Sequence, residues 1–175
     1  MSGHHAAGIS RLTRLTLADF RSYAALSLEP DARMVALIGE NGAGKTNILE
    51  ALSLFTPGRG LRRAELAEMA RADGPGSFAV SALLSGGEGG ETRLGVGLSP
   101  SDAEGRRPRL SRIDGADAGS ASAFSEHLRV VWLTPDMDGL FRGSAGERRR
   151  FLDRLVLAVD AGHAPRTAAL ERALR

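Results

Sequence analysis

The spacing of apolar positions changes character several times along the chain. Arg11–Leu17 alternates in part and predicts a strand, Asp19–Tyr23 a turn, and Ala24–Leu28 a second strand closed by Glu29-Pro30-Asp31. Arg33–Ile38 is a short, nearly continuous apolar run and predicts a buried strand. In Asn47–Phe55, Ile48, Leu49, Leu52 and Phe55 recur at helical spacing, and Thr56-Pro57-Gly58-Arg59-Gly60 breaks the helix they predict. Ala64–Arg71 predicts a short helix. Phe78, Val80, Ala82 and Leu84 alternate, as do Leu94, Val96 and Leu98, with Gly86-Gly87-Glu88-Gly89-Gly90 between them, which is a hairpin pattern. Arg109–Ile113 predicts a further strand turning at Asp114-Gly115, and Ser120 caps a helix running to Leu128. Arg129–Thr134 predicts a buried strand stopped by Pro135. Glu147–Asp160 predicts a helix with Phe151, Leu155 and Val159 in register, which Pro165 breaks. Arg166–Arg175 opens another helix without a closing turn, so a longer arm is expected to follow.

Between the apolar run and the first helix stands Gly39-Glu40-Asn41-Gly42-Ala43-Gly44-Lys45-Thr46, which fits G-x-x-x-x-G-K-[ST] in its strand–loop–helix context. Glycines at 39, 42 and 44 permit backbone conformations that turn successive N–H groups inward as an anion cradle. The helix start adds its positive end. Lys45 is then expected to reach the β- and γ-phosphates of ATP, and the Thr46 hydroxyl to ligate Mg²⁺. Lys45 is the only lysine among 23 basic residues, and both asparagines, Asn41 and Asn47, fall in or beside the loop.

Composition bounds the rest. A chain of 175 residues with 42% apolar and 25% charged residues is an ordinary globule, one domain by default. No apolar run spans a membrane, the N-terminus has no signal-peptide pattern, and no cysteine provides a disulfide or a thiolate metal site, so a cytoplasmic protein without membrane attachment is expected. The net charge of +2 sits beside a pI of about 9.9 because almost nothing titrates between pH 7 and that value. Basicity alone therefore does not point to nucleic acid.

Leu15–Tyr23, followed by Leu37–Ala51, resembles the head domain of SMC-, Rad50- and RecF-type ATPases. Gly58-Arg59-Gly60-Leu61-Arg62, Arg112-Ile113-Asp114-Gly115, Leu133-Thr134-Pro135-Asp136 and Gly146–Asp153 narrow the resemblance to the RecF family, over about Ile9 to Arg175. It implies an α/β P-loop NTPase of the ABC-ATPase head type, its first lobe with a β-rich subdomain. It also implies ATP held between two heads of an ATP-dependent homodimer. Further implied are binding of single-stranded and gapped duplex DNA, and help in loading RecA with RecO and RecR in recombinational repair and the SOS response. Arg21 would approach the nucleotide. The expected organisation is a disordered leader over 1–8, an ATP-binding lobe over 9–160 and the start of a helical arm over 161–175.

The chain departs from the full pattern. Leu84-Ser85-Gly86-Gly87-Glu88 is similar to an ABC signature, but an alternating strand follows it, so it reads as a hairpin turn. Asp160 ends a helical pattern rather than a strand. There is no glutamine for a Q-loop. With neither a signature nor a second lobe in view, no catalytic residue is assigned and hydrolysis is expected to be very slow. Two other readings stand beside this one. One is a complete small P-loop kinase or NTPase using Asp136 to support Mg²⁺; the other is a binding module that docks a partner such as RecR. The arginine clusters at 59/62/63, 106/107/109 and 148–150 read as solvated faces, the last with intrahelical pairing to Glu147 and Asp153. His4, His5, His127 and His163 form no metal set.

Overall fold

The computed structural model describes residues 11–86, 90–101, 107–139, 143–160 and 162–173. The leader expected over 1–8 lies outside them, as do Gly87–Gly89 of the hairpin turn. The chain divides into two compact units, residues 1–128 and 129–175.

The first unit is built on an antiparallel sheet of six strands. They are β1 (Arg11–Phe20), β2 (Tyr23–Leu28), β3 (Phe78–Ser85), β4 (Glu91–Leu98), β5 (Arg109–Ile113) and β6 (Ala116–Asp117), in the spatial order β2-β1-β3-β4-β5-β6. The predicted hairpin forms in register, with Phe78 opposite Leu98 and Ser85 opposite Glu91. Leu84 and Ser85 therefore end a strand and do not open a signature helix. The register slips between Leu12 and Arg14, where the Thr13 hydroxyl donates to the Leu83 carbonyl at 3.1 Å.

Alternation on β1, β3 and β4 puts Leu15, Leu17, Val80, Ala82, Leu84, Leu94 and Val96 in the core, where they pack with residues of α1 (Lys45–Ser53) and of the 3-10 helix Ala121–Glu126. Phe20 and Phe78 meet edge to face at 5.2 Å, and Phe55 and Phe124 at 5.6 Å. Each such pair contributes about 1 kcal/mol beyond the area it buries. Gly97 lets β3 and β4 approach closely, since a Cβ there would lie 2.5 Å from the Phe78 carbonyl oxygen. Gly97→Ala is expected to lower the urea midpoint by the equivalent of about 1–3 kcal/mol with an unchanged slope. A midpoint equal to that of the unmodified chain would show that β3 gives way freely.

Several expectations need correction. Arg33–Ile38 joins no ladder: a bend runs through Arg33 and Met34, irregular backbone follows, and Met34 and Ile38 are each 91% exposed. A strand exists only beside another strand, and among the described residues none runs along this segment. Arg129–Thr134 fails as a buried strand for the same reason, with Leu133 at 76% exposure. Leu49 faces out, while Glu50, Ala51 and Leu54 are buried in its place. The helix expected over 64–71 shortens to α2 (Leu66–Met69), and the one expected from Ser120 is the 3-10 helix Ala121–Glu126, with no side-chain cap from Ser120.

In the second unit a 3-10 turn, Pro135–Gly139, precedes α3 (Ala145–Val159) and α4 (His163–Ala173). Ser144 and Glu147 form a capping box at the start of α3. Arg149 pairs with Asp153 at 3.9 Å, as expected of that cluster. The Arg154 guanidinium lies over the Trp132 ring at 4.9 Å, and Arg129 donates to the Ala158 and Val159 carbonyls at the end of α3. Asp160 follows α3 as its C-cap. The Gly162 N–H, aided by Arg166, holds its carboxyl below the usual range. α3 thus ends at Val159, before Pro165. Pro165 sits in the first turn of α4, where its missing N–H is not needed.

Candidate nucleotide-binding site

The loop Gly39–Thr46 takes the shape its glycines predict. Gly42 and Gly44 have φ of +87° and +89°, and Gly44 stands at the N-cap of α1. The amides of Lys45 and Thr46 therefore open the helix ahead of Asn47, whose N–H is the first to donate within it, to the Gly44 carbonyl at 2.8 Å. The Lys45 ammonium folds back and donates to the Gly39 and Glu40 carbonyls, both at 2.7 Å. Thr46 is exposed at the head of α1. The residues present fit a polyphosphate: bare amides, a positive helix end, one ammonium and one free-standing hydroxyl.

The turn between β1 and β2 covers one side of this loop. Arg21 lies there at φ +53°, a left-handed conformation that costs a non-glycine residue about 1 kcal/mol. Its backbone N–H donates to Met69, and its side chain leaves the turn toward α1. Nε and Nη2 grip the two Glu50 carboxylate oxygens at 2.9 and 2.7 Å, while Nη1 donates to the Glu68 carbonyl at 2.7 Å. Glu50 is fully buried and takes a second arginine, Arg62, at 3.1 Å. Arg62 Nη1 also reaches the Asn47 side-chain oxygen, and the Asn47 amide donates to the Ser22 hydroxyl, both at 3.0 Å. Tyr23 completes the turn. Its hydroxyl donates to the Ala43 carbonyl at 3.2 Å, and its ring occupies the space a Cβ on Gly44 would need.

Arg21, Ser22 and Tyr23 thus each hold a different point on the loop and α1: Glu50, Asn47 and Ala43. Sequence reasoning singled out Arg21 alone. The signal for the others was faint: a glutamate at a helical position whose neighbours are apolar, and an asparagine in a chain that has two.

Asp136 lies in the 3-10 turn Pro135–Gly139, and its side chain is outside the described residues. Among the described residues no three His, Cys, Asp or Glu side chains gather as a metal site. No described helix is long and apolar enough to cross a membrane.

Residues 14–80 match a family model described as an AAA domain. A DNA replication and repair protein RecF from Mesorhizobium japonicum is 54% identical over 166 residues, which is 95% of this chain and 43% of that relative. The chain belongs to the RecF family. The RecF of Rhizobium meliloti is 52% identical over 94% of this chain and 43% of its own length. Among solved structures, the recombination mediator protein RecF-ATPrS in the RecFOR pathway superposes with a TM-score of 0.75 at 24% identity, over 90% of this chain and 41% of that one. The corresponding RecF-ATP structure gives 0.73 at 24% identity, over 91% and 41%. This likeness establishes the fold, the α/β P-loop head of ABC type with its antiparallel β-subdomain. The chain spans less than half the length of these RecF relatives.

Proposed function

We propose that this chain is the ATP-binding part of a RecF-type DNA replication and repair protein. The observation that carries the reading is the loop itself: two left-handed glycines delivering Lys45 and Thr46 at the head of α1. Gly39–Thr46 would hold the phosphates and the Thr46 hydroxyl would ligate Mg²⁺, which would supply positive charge to the polyphosphate. Lys45 leaves the Gly39 and Glu40 carbonyls for the phosphate oxygens. Arg21 approaches the nucleotide from the turn, with Arg62 left on Glu50 to neutralise it.

The wider activity follows the family. In the cytoplasm the whole protein dimerises with ATP and binds single-stranded and gapped duplex DNA. It then helps load RecA with RecO and RecR in recombinational repair and the SOS response. Residues 9–160 form the ATP-binding lobe and 161–175 begin a helical arm. Hydrolysis by the 175-residue chain alone is very slow, since its sequence carries neither a convincing signature motif nor a glutamine for a Q-loop.

Titration with a fluorescent ATP analogue tests the reading. Saturable binding that strengthens with Mg²⁺ is expected, weakened about tenfold by Arg21→Ala. Undiminished affinity in Arg21→Ala would remove Arg21 from the nucleotide site, and no saturable binding by the unmodified chain would remove the reading itself. Affinity for gapped duplex DNA is expected to fall steeply with salt. A flat salt dependence would exclude phosphate contacts.

A further inference from the structure

The opposite end of α1 carries a second concentration of donors. Pro57 and Gly58, the start of β5 and residues 119–122 line an open cavity of about 260 Å³. Arg109 of β5 lines it together with Ser111, Ser120 and Ser122, and no carboxylate is in the lining. Arg109 Nη2 donates to the Leu54 carbonyl at 2.6 Å and Nη1 to the Gly58 carbonyl at 2.8 Å. Its Nε is buried and has no hydrogen-bond partner among the described residues. Burial pulls the guanidinium below the usual arginine value, yet among the described residues Arg109 makes no ion pair. A partly desolvated cation whose partners are backbone carbonyls alone is left without a counter-charge.

The hydroxyls point the same way. Ser111 is 4% exposed, faces this cavity and has no side-chain hydrogen bond among the described residues. Ser120 precedes the 3-10 helix without capping it. Gly58 and Gly119 have positive φ and open space where a Cβ would stand, so the rim is bare backbone. The carbonyls that end α1 would repel an anion, but that of Leu54, its C-cap, already accepts from Arg109, as does that of Gly58 in the loop beyond.

We propose that this cavity is an oxyanion site that takes a phosphate group, with Arg109 as its cation and Ser111, Ser120 and Ser122 as its hydroxyl donors. A phosphate oxygen supplies the charge that Arg109 lacks and the acceptors that the hydroxyls lack. The phosphate is either a free anion or an ester in a polynucleotide backbone. The site stands apart from Gly39–Thr46 and does not rest on the nucleotide reading.

The test uses the 175-residue chain with Lys45→Ala, so that the loop does not compete. The Arg109 Nε–H resonance, assigned by its loss in Arg109→Lys, is followed by NMR during titration with inorganic phosphate and, separately, with a short oligothymidylate. A saturable shift is expected, and Ser122→Asp, which places a carboxylate at an exposed rim position, is expected to weaken it about tenfold or more. Saturation by the oligonucleotide at lower phosphate concentration assigns the site to a backbone, and saturation by inorganic phosphate alone assigns it to a small anion. A shift that never saturates with either probe, or one that Ser122→Asp leaves unchanged while the amide spectrum stays folded, overturns the proposal.

Discussion

Replacing Lys45 with alanine is expected to weaken Mg·ATP binding by about a hundredfold, roughly 2.7 kcal/mol, while leaving the fold intact. The two halves of that expectation come from different bonds. In the structure the ammonium is spent on the Gly39 and Glu40 carbonyls, both exposed to water, so its loss removes little from stability. With a polyphosphate in the loop, the same ammonium faces oxygens that carry full charge, and charge-assisted bonds are roughly twice as strong as neutral ones. Fluorescence anisotropy of a labelled ATP gives the affinity, and thermal unfolding without nucleotide gives the stability. An affinity within about threefold of the unmodified chain would mean that the glycine loop and helix end hold the phosphates without it.

The second large effect is expected at Glu50. Its carboxylate is fully buried between Arg21 and Arg62, and the Arg21 side chain is only 20% exposed. Breaking a buried pair from one side leaves the other charge stranded, at a cost of about 3–5 kcal/mol. Glu50→Gln keeps the volume and most of the hydrogen-bonding shape, so its loss reads out the charge. Urea unfolding is expected to show a fall of this size in Glu50→Gln. The double variant Glu50→Gln, Arg62→Ala is expected to regain part of it, because one of the stranded cations is gone. A loss below about 1 kcal/mol would mean that the turn at Arg21–Tyr23 is held to α1 by the Asn47–Ser22 and Tyr23–Ala43 bonds instead.

What could be read from the sequence was local. The glycine loop announces itself because its chemistry needs certain residues within eight consecutive positions. The β3–β4 hairpin does so because alternation and a glycine turn lie side by side. Where partners are distant in sequence, reading failed. Met34–Ile38 has the composition of a buried strand, but burial needs a neighbouring strand, and pattern cannot supply one. Leu49 and Glu50 exchanged their expected places because helical periodicity ranks residues by apolarity. It has no means of registering that two arginines, one 29 and one 12 residues away, make a glutamate fit for the interior. The resemblance singles out Arg21 for the nucleotide, while its grip on Glu50 is visible only in the geometry.

The bare segment at Arg33–Ile38 has a practical consequence at the bench. Among the described residues it pairs with no strand, and it leaves Met34 and Ile38 almost wholly in water and Val35 at 60%. That is the profile of a seed for cross-strand stacking between molecules. Light scattering of this chain should therefore rise with concentration long before the sheet unfolds. A charged residue at Val35 should delay that rise, and handling the protein dilute and cold will matter more than raising its melting temperature.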